Sequence, residues 1–358
     1  MRRELRVDET SDLVSSARNS PGDWLWVSAL PSKVFAASLY RAALFTLPEM
    51  VDAAPDCVLL ANPKERYCID FDQARMDAVD WTRGAKMRAA RRGRLRLSVD
   101  SDFAASLRRL IAYHAANEGG TWFSEKLLDL IVRSHAADAA SAAASAAGRA
   151  DTTARGEPWT TILPAGATVR LVGLQDKSKN GLIGRVAITA PRGAPEARVA
   201  VRLGSTAVGR VVGIKRVNVE LLAPPPRVRH HVFELWDANT DELLAVTAGF
   251  GVGRAYHDYS MAALVRDKRS AGQVLTKTIA ALLQKLGYGL WYWGFKNPYM
   301  AQYDRFGGRN IARAEFYDRW DALTAAEPDG GIEDAIAAGA ALVAPRRSAP
   351  PHARTARR

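Results

Sequence analysis

Arg83, Lys86, Arg88, Arg91 and Arg92 crowd into a single stretch, Asp80 to Arg96 (DWTRGAKMRAARRGRLR). If that stretch is helical, Arg83, Lys86 and Arg91 fall within about 140° of one another, a face that can lie along a phosphate backbone. The segment GGTWFS follows at Gly119 to Ser124. Its Trp122 and Phe123 offer a surface on which a base or an apolar side chain could rest. The same residues would also suit a solvated basic helix beside two core aromatics. A third place is Arg269-Ser270-Ala271-Gly272, the opening of a helix, where unpaired amides and the positive dipole end attract a phosphate.

The elements around these places read clearly. Phe35, Leu39 and Ala43 stand at helical spacing in a small N-terminal lobe. RLRLSV (Arg94 to Val99) alternates like a strand, Ser101 is expected to cap a helix with Phe103, Leu107, Leu110 and Ile111 on one stripe, and Ser124 opens another helix. Ala136 to Pro158 is rich in Ala, Ser, Gly and Arg, the composition of a linker or solvated helix. Trp159 to Leu222 then holds short alternating strands with an Asn180-Gly181 turn, a run that closes most simply as a five-stranded barrel. HHVFELWD, ELLAVTAGFGVG and RAYHDYSMAAL read as an antiparallel meander. After it, Ser270 is expected to cap a helix whose Leu275, Ile279, Leu282, Leu283 and Leu286 form a core stripe. An aromatic strand, Tyr288 to Phe295, a loop and a helix around Arg313 to Leu323 complete the pattern.

The chain has 358 residues, 48% of them hydrophobic, enough for two or three domains with cores of their own. A formal net charge of +12 favours a polyanionic partner, although compositional bias toward Arg would raise it too. Cys57 and Cys68 have no CxxC spacing and no His cluster beside them, so neither a disulfide framework nor a zinc site is expected. No run of about 18 apolar residues occurs, and MRRELRVDETSD lacks the apolar core of a secretory signal. No membrane association is expected, and the expected location is the cytoplasm, with an organelle-targeting segment left open.

Meander, helix with a basic opening loop, strand, helix is the order of the GNAT acyltransferase fold, and RSAGQV resembles the start of its pyrophosphate loop, with Val274 where a small residue should stand. More specifically, the chain resembles the leucyl/phenylalanyl-tRNA–protein transferases. The matching stretches are GDWLWVSALPSKVFAASLYRAALF, DWTRGAKMRAARRGRLRLSVDSDF, GGTWF, HHVFELWDANTDELLAVTAGFGVG, YSMAAL and FGGRNIARAEF. The resemblance covers roughly residues 10 to 135 and 228 to 322. The intervening strands are similar to SH3-like, KOW-type modules, with Lys177, Lys179, Lys215 and Arg216 as possible RNA contacts. The implied class is α+β: a GNAT-like mixed sheet with flanking helices, a small N-terminal lobe and an inserted all-β SH3-like barrel. The implied boundaries are a disordered start at 1–20, the lobe at 21–78, transferase parts at 79–136 and 228–323, a linker at 137–158, the barrel at 159–223, and a flexible basic tail at 324–358.

The resemblance implies passage of an amino acid of Leu, Phe or Met type from tRNA to the α-amine at a protein's N-terminus, marking it for degradation. Aminoacyl-tRNA is then a co-substrate, an acceptor protein or peptide is the partner, no further cofactor or metal is needed, and a monomer suffices. Arg83, Lys86, Arg88, Arg91, Arg92 and Arg269 would contact the tRNA, while Trp122, Phe123, Ser260 and Trp293 would line the substrate pocket. Where the family has a glutamate and an Asp-x-Gln, this chain has Tyr259, and Tyr292 and Gly294. Asp258 could supply a carboxylate through a strand bulge, and Tyr292 a hydrogen bond to an oxyanion or leaving oxygen. These roles require Asp258, Tyr292 and Trp122 to border a common cavity. YMAQYDRFGG is also similar to a region of arginyl-tRNA–protein transferases, whose N-terminal Cys cluster is missing, so an altered amino-acid choice stays open. The alternatives are an acyl-CoA-dependent N-acyltransferase and a catalytically inactive tRNA- or N-degron-binding protein.

Overall fold

The computed structural model describes residues 20, 22–27, 37, 39–48, 58–71, 80, 81, 83–117, 123, 125–146, 163, 166–187, 196–203, 210–223 and 226–339. Three short strands, β1 (Trp24–Val27), β2 (Phe45–Pro48) and β3 (Val58–Ala61), form an antiparallel sheet in the order β1-β3-β2. The next strand, β4 (Glu65–Asp70), falls within the stretch expected to be a separate lobe, yet it joins the large sheet of the molecule. Its burial explains why: every residue after Glu65 is buried, the pattern of a strand covered on both faces.

The basic stretch is helical only over its middle, and the strand expected at Arg94 to Val99 forms at its end. Gly84, at φ 118, turns the chain into α1 (Ala85–Ala89), a π-helical turn follows at Ala90–Arg94, and the alternating residues are drawn into β5 (Leu95–Val99) by pairing with the meander. Next come α2 (Phe103–Asn117) and α3 (Glu125–Ala146). The cap of α2 lies one residue later than expected: Asp102 accepts the Ala105 amide, while Ser101 turns its hydroxyl to Glu234. Glu234, fully buried, also accepts from Ser98 (2.6 Å) and Ser106 (2.7 Å) and from the Ser101 and Asp102 amides, which places its charge where the helix leaves donors unpaired. Helix α3 runs on through the first part of the expected linker to Ala146.

Strands β6 (Thr168–Leu171), β7 (Ile183–Val186), β8 (Arg198–Leu203), β9 (Val211–Lys215) and β10 (Val219–Ala223) make an antiparallel five-stranded sheet ordered β10-β6-β7-β8-β9, with a core of its own around Val169, Leu171, Val199 and Val201. The meander is β11 (Val228–Asp237), β12 (Leu243–Val252) and β13 (Ala255–Ala263), followed by α4 (Ala271–Lys285), β14 (Leu290–Tyr292), a 3₁₀ segment Pro298–Phe306, β15 (Gly308–Ala312), α5 (Arg313–Leu323) and α6 (Ile332–Ala337). The large sheet is mixed and seven-stranded, ordered β15-β4-β14-β13-β12-β11-β5, with β13 and β14 the parallel neighbours. The fold class is thus α+β. Helix α6 lies inside the expected flexible tail; residues 1–19, 147–158 and 340–358, together with Phe35, Trp122 and Ser124, lie outside the described residues.

Two cores sandwich this sheet. On one face α2, α3 and α5 pack Leu107, Leu110, Leu127, Phe316 and Trp320 against Val246, Ala248 and Phe250. On the other, α4 lays its expected stripe, with Met87 of α1 and Ile332 of α6, against Phe233, Leu235 and Leu244. All ten residues of β12 are buried, so this strand sits at the centre of both. Asp70 is fully buried at the end of β4 and is held by Arg309 and by Arg319, which fastens α5 to the sheet. Removing one partner of such a pair leaves a buried charge uncompensated.

Candidate functional site

The cationic residues converge at the foot of α4. A hollow of about 270 Å³ is lined by Arg83 and Lys86 from the basic stretch, Gln273 and Lys277 from the first turns of α4, and Arg305 from the 3₁₀ segment. Buried Met87 anchors α1 on the α4-side core and leaves Arg83 and Lys86 exposed. The Lys86 ammonium donates to Ser270 Oγ, and Lys277 donates to the Arg83 carbonyl (3.1 Å) while lying 4.7 Å from the Phe306 ring centroid. Burial, and after it the Arg305 charge, lowers the Lys277 pKa. Among the described residues four cations line the hollow and no carboxylate does, an arrangement that favours an anion.

Two expectations change here. Ser270 does not cap α4: at φ 52 it is left-handed, makes no cap hydrogen bond, and gives its hydroxyl to Lys86 instead. Arg269 is taken up by Asp267 (2.7 Å), Asp237 (2.8 Å) and Glu242 (3.4 Å), so its charge fastens the loop to the β11–β12 turn and does not line the hollow. Arg88 and Arg92 are exposed, and the Arg91 side chain lies outside the described residues.

Beside α4 the sheet opens. β13 pairs with β14 only at Ala255–His257, and Gly294 (φ 84) then turns the neighbouring chain while β13 continues to Ala263. At the parting, the β12–β13 register jumps: Gly249 opposes Asp258, Ala248 opposes Ser260, and Tyr259 is passed over. This bulge reverses the alternation of faces. Asp258 stays with Tyr256 on the α4 face, while Tyr259 and Ser260 both face α2.

The chemistry of Asp258 follows from Thr247. Its hydroxyl stands 2.8 Å from the Ser260 carbonyl and 2.9 Å from Asp258 Oδ1. The one hydroxyl proton is shared among the Ser260 carbonyl and both Asp258 oxygens, Oδ2 standing 3.0 Å away. Burial raises Asp258 to about 8, against the pull of the Thr247 hydroxyl and the Trp291 indole. Trp291 Nε1 comes near enough to exert that pull without meeting hydrogen-bond geometry, and the buried Tyr256 hydroxyl likewise has no partner among the described residues. Gly249 leaves room for this arrangement. A Cβ there would stand 2.3 Å from the His257 carbonyl and 2.8 Å from the Tyr256 ring. Gly249→Ala is expected to lose about 3 kcal/mol in urea denaturation through overpacking; an unchanged midpoint would mean the ring is not held over this position.

Compared with known proteins, the chain matches no family model, and no curated protein is significantly similar to it. Its own geometry therefore carries the functional argument.

The sequence-expected site residues divide between the two faces. Tyr292 is 2% exposed, stacked on His257 with ring centroids 4.3 Å apart, and burial pushes its hydroxyl up to about 12. It faces α5, opposite Asp258, so the two do not border a common cavity; Tyr292 is in register with His257, the residue before Asp258, and so shares its face and not that of Asp258. Phe123 is likewise core, edge-on to Tyr259 at 6.0 Å. Trp293 lies on the α4 side against Tyr303. Ser260 meets His114 of α2, with Oγ and Nε2 2.8 Å apart.

Sequence reasoning missed Gln273, Lys277 and Arg305. Lys277 follows Gln273 by one helical turn, and that spacing was a usable signal. Asp100, His231 and Glu333, which bring three ligand-type atoms within 4.8 Å of one another, had none, because they come from three distant segments. Asp100 there accepts from the Val232 amide (2.7 Å), which ties the β5–α2 corner to β11. Among the described residues no helix is long and apolar enough to cross a membrane.

Proposed function

We propose that this chain is an aminoacyl-tRNA-dependent aminoacyltransferase that passes an amino acid of Leu, Phe or Met type to the N-terminal α-amine of a protein, marking it for degradation in the cytoplasm. The observation that carries the reading is the hollow at the foot of α4, where cations from segments nearly 200 residues apart meet (Lys277 and Arg83 are separated by 194). A phosphate chain seated there would be held by Arg83, Lys86, Lys277 and Arg305 and by the amide end of a 15-residue helix. The element order β5, α2, α3, β11, β12, β13, α4, β14, with a parallel β13–β14 pair that parts at a bulge, supports a GNAT-like assignment. The five-stranded order β10-β6-β7-β8-β9 supports an SH3-like insert. In the insert Lys179 pairs with Asp176, Lys215 with Glu196, Arg216 is buried, and Lys177 is exposed.

The reaction forms a C–N bond from the acceptor amine to the ester carbonyl and breaks the bond to the ribose oxygen, which must take up a proton. Asp258, protonated at neutral pH and on the same face as the hollow, is the donor we assign to that oxygen. Incubation with tRNA charged with radiolabelled Leu, Phe, Met or Arg and a peptide beginning with Lys or Arg is expected to transfer label; transfer from none of them rejects the reading. An acyl-CoA N-acyltransferase would instead bind acetyl-CoA in calorimetry, and an inactive tRNA- or N-degron-binding protein would bind tRNA with salt sensitivity and no turnover.

A further inference from the structure

We propose that Ser260 and His114 form a second reactive centre, on the α2 face, in which a serine nucleophile and its base accept an acyl group from an activated carboxylic ester. The two stand 2.8 Å apart, hydroxyl oxygen to Nε2, and they come from elements 146 residues apart in the chain. With Nε2 bare, the hydroxyl donates to it, which is how a weakly nucleophilic alcohol is activated. Three features of the fold hold this geometry. The bulge places Tyr259 and Ser260 on one side of β13, and buried Tyr259 is wedged against Phe250 (5.4 Å) and bonded to His230 Nδ1 (3.1 Å), so the strand cannot roll the serine away. The Ser260 carbonyl is fixed from the other face by Thr247. His114, in the last turn of α2, is 8% exposed, which limits its ring, whereas Ser260 is only partly buried.

The step balances as follows. Ser260 Oγ bonds to the ester carbonyl carbon as its proton passes to His114 Nε2. The tetrahedral adduct then expels the alcohol, which takes that proton, leaving an acyl-serine. An amine or water reverses the sequence and restores the hydroxyl. Nothing in this step needs a nucleic acid, so it stands apart from the tRNA reading and can be tested without it.

The test treats the full chain with p-nitrophenyl acetate and, separately, with a fluorophosphonate probe, followed by peptide mass spectrometry. The expected result is a burst of p-nitrophenol and modification at Ser260, lost in Ser260→Ala and slowed by about 100-fold or more in His114→Gln. Absence of any adduct on Ser260 of the unsubstituted chain overturns the proposal, and so does equal labelling of folded His114→Gln. Label found on another serine alone overturns it as well.

Discussion

Replacing Arg83 and Lys86 together by Glu is expected to weaken tRNA binding about 100-fold at low salt and to reduce the slope of log K against log salt by about two, one for each phosphate contact removed. Both side chains are exposed and both line the hollow, and burial of Met87 in the core keeps α1 seated whatever their charge. The folded state should therefore survive, and thermal melting checks that. The control is Lys215→Glu in the five-stranded sheet. Lys215 is already paired with Glu196, so this change is expected to leave the slope almost unaltered. If the slope of the double variant matches that of the unsubstituted chain, the hollow is not where the polyanion sits. Arg269→Ala separates two roles in the same assay. Its three carboxylate partners make it a fastener of the loop before α4, so the expected effect is on stability first and on affinity only through the position of Lys86 against Ser270.

The elements that bury one clean stripe were legible from spacing alone. Leu275, Ile279, Leu282 and Leu283 of α4 lie in the core where their period puts them, and the three meander strands begin and end near their turn residues. What spacing could not reach was any feature that breaks its own period. The bulge at Tyr259 reverses the faces of β13 in mid-strand, and it alone decides that Asp258 and Ser260 look opposite ways. Nor does local pattern say which sheet a strand enters: β4 reads like its neighbour β3 yet pairs with β14 and β15. The charge of Arg269 looked available because two of its three partners, Asp237 and Glu242, belong to a turn about 30 residues earlier. The hollow was half legible, since the basic stretch marked one wall and only the fold supplied Lys277 and Arg305 as the other.

Asp258→Asn is expected to change both the stability curve and the chemistry, with signs that can be worked out beforehand. An unfolded Asp titrates near 4, whereas burial raises the folded carboxyl to about 8. Between those values the folded chain holds a proton that the unfolded chain has released, so stability falls as pH rises, by about 1.4 kcal/mol per pH unit and up to about 5 kcal/mol in all. Above the folded value both states are ionised and the curve flattens. Asn is neutral throughout and keeps an acceptor for the Thr247 hydroxyl, so the variant lacks this slope. Neighbouring His257, lowered to about 3 by burial, adds a slope of opposite sign at acid pH, but it is common to both chains and cancels in the difference. Urea denaturation at pH 5 and pH 9 should then show the two chains close together at the lower pH and the Asn variant more stable by several kcal/mol at the higher. Catalysis should move the other way. With no proton for the departing ribose oxygen, the variant is expected to lose transfer by about 100-fold or more and to lose the alkaline limb of the rate profile near pH 8. Parallel stability curves would mean that Asp258 is ionised in the folded chain, in which case the carboxyl would be poised to accept a proton from the acceptor amine rather than to give one to the leaving oxygen.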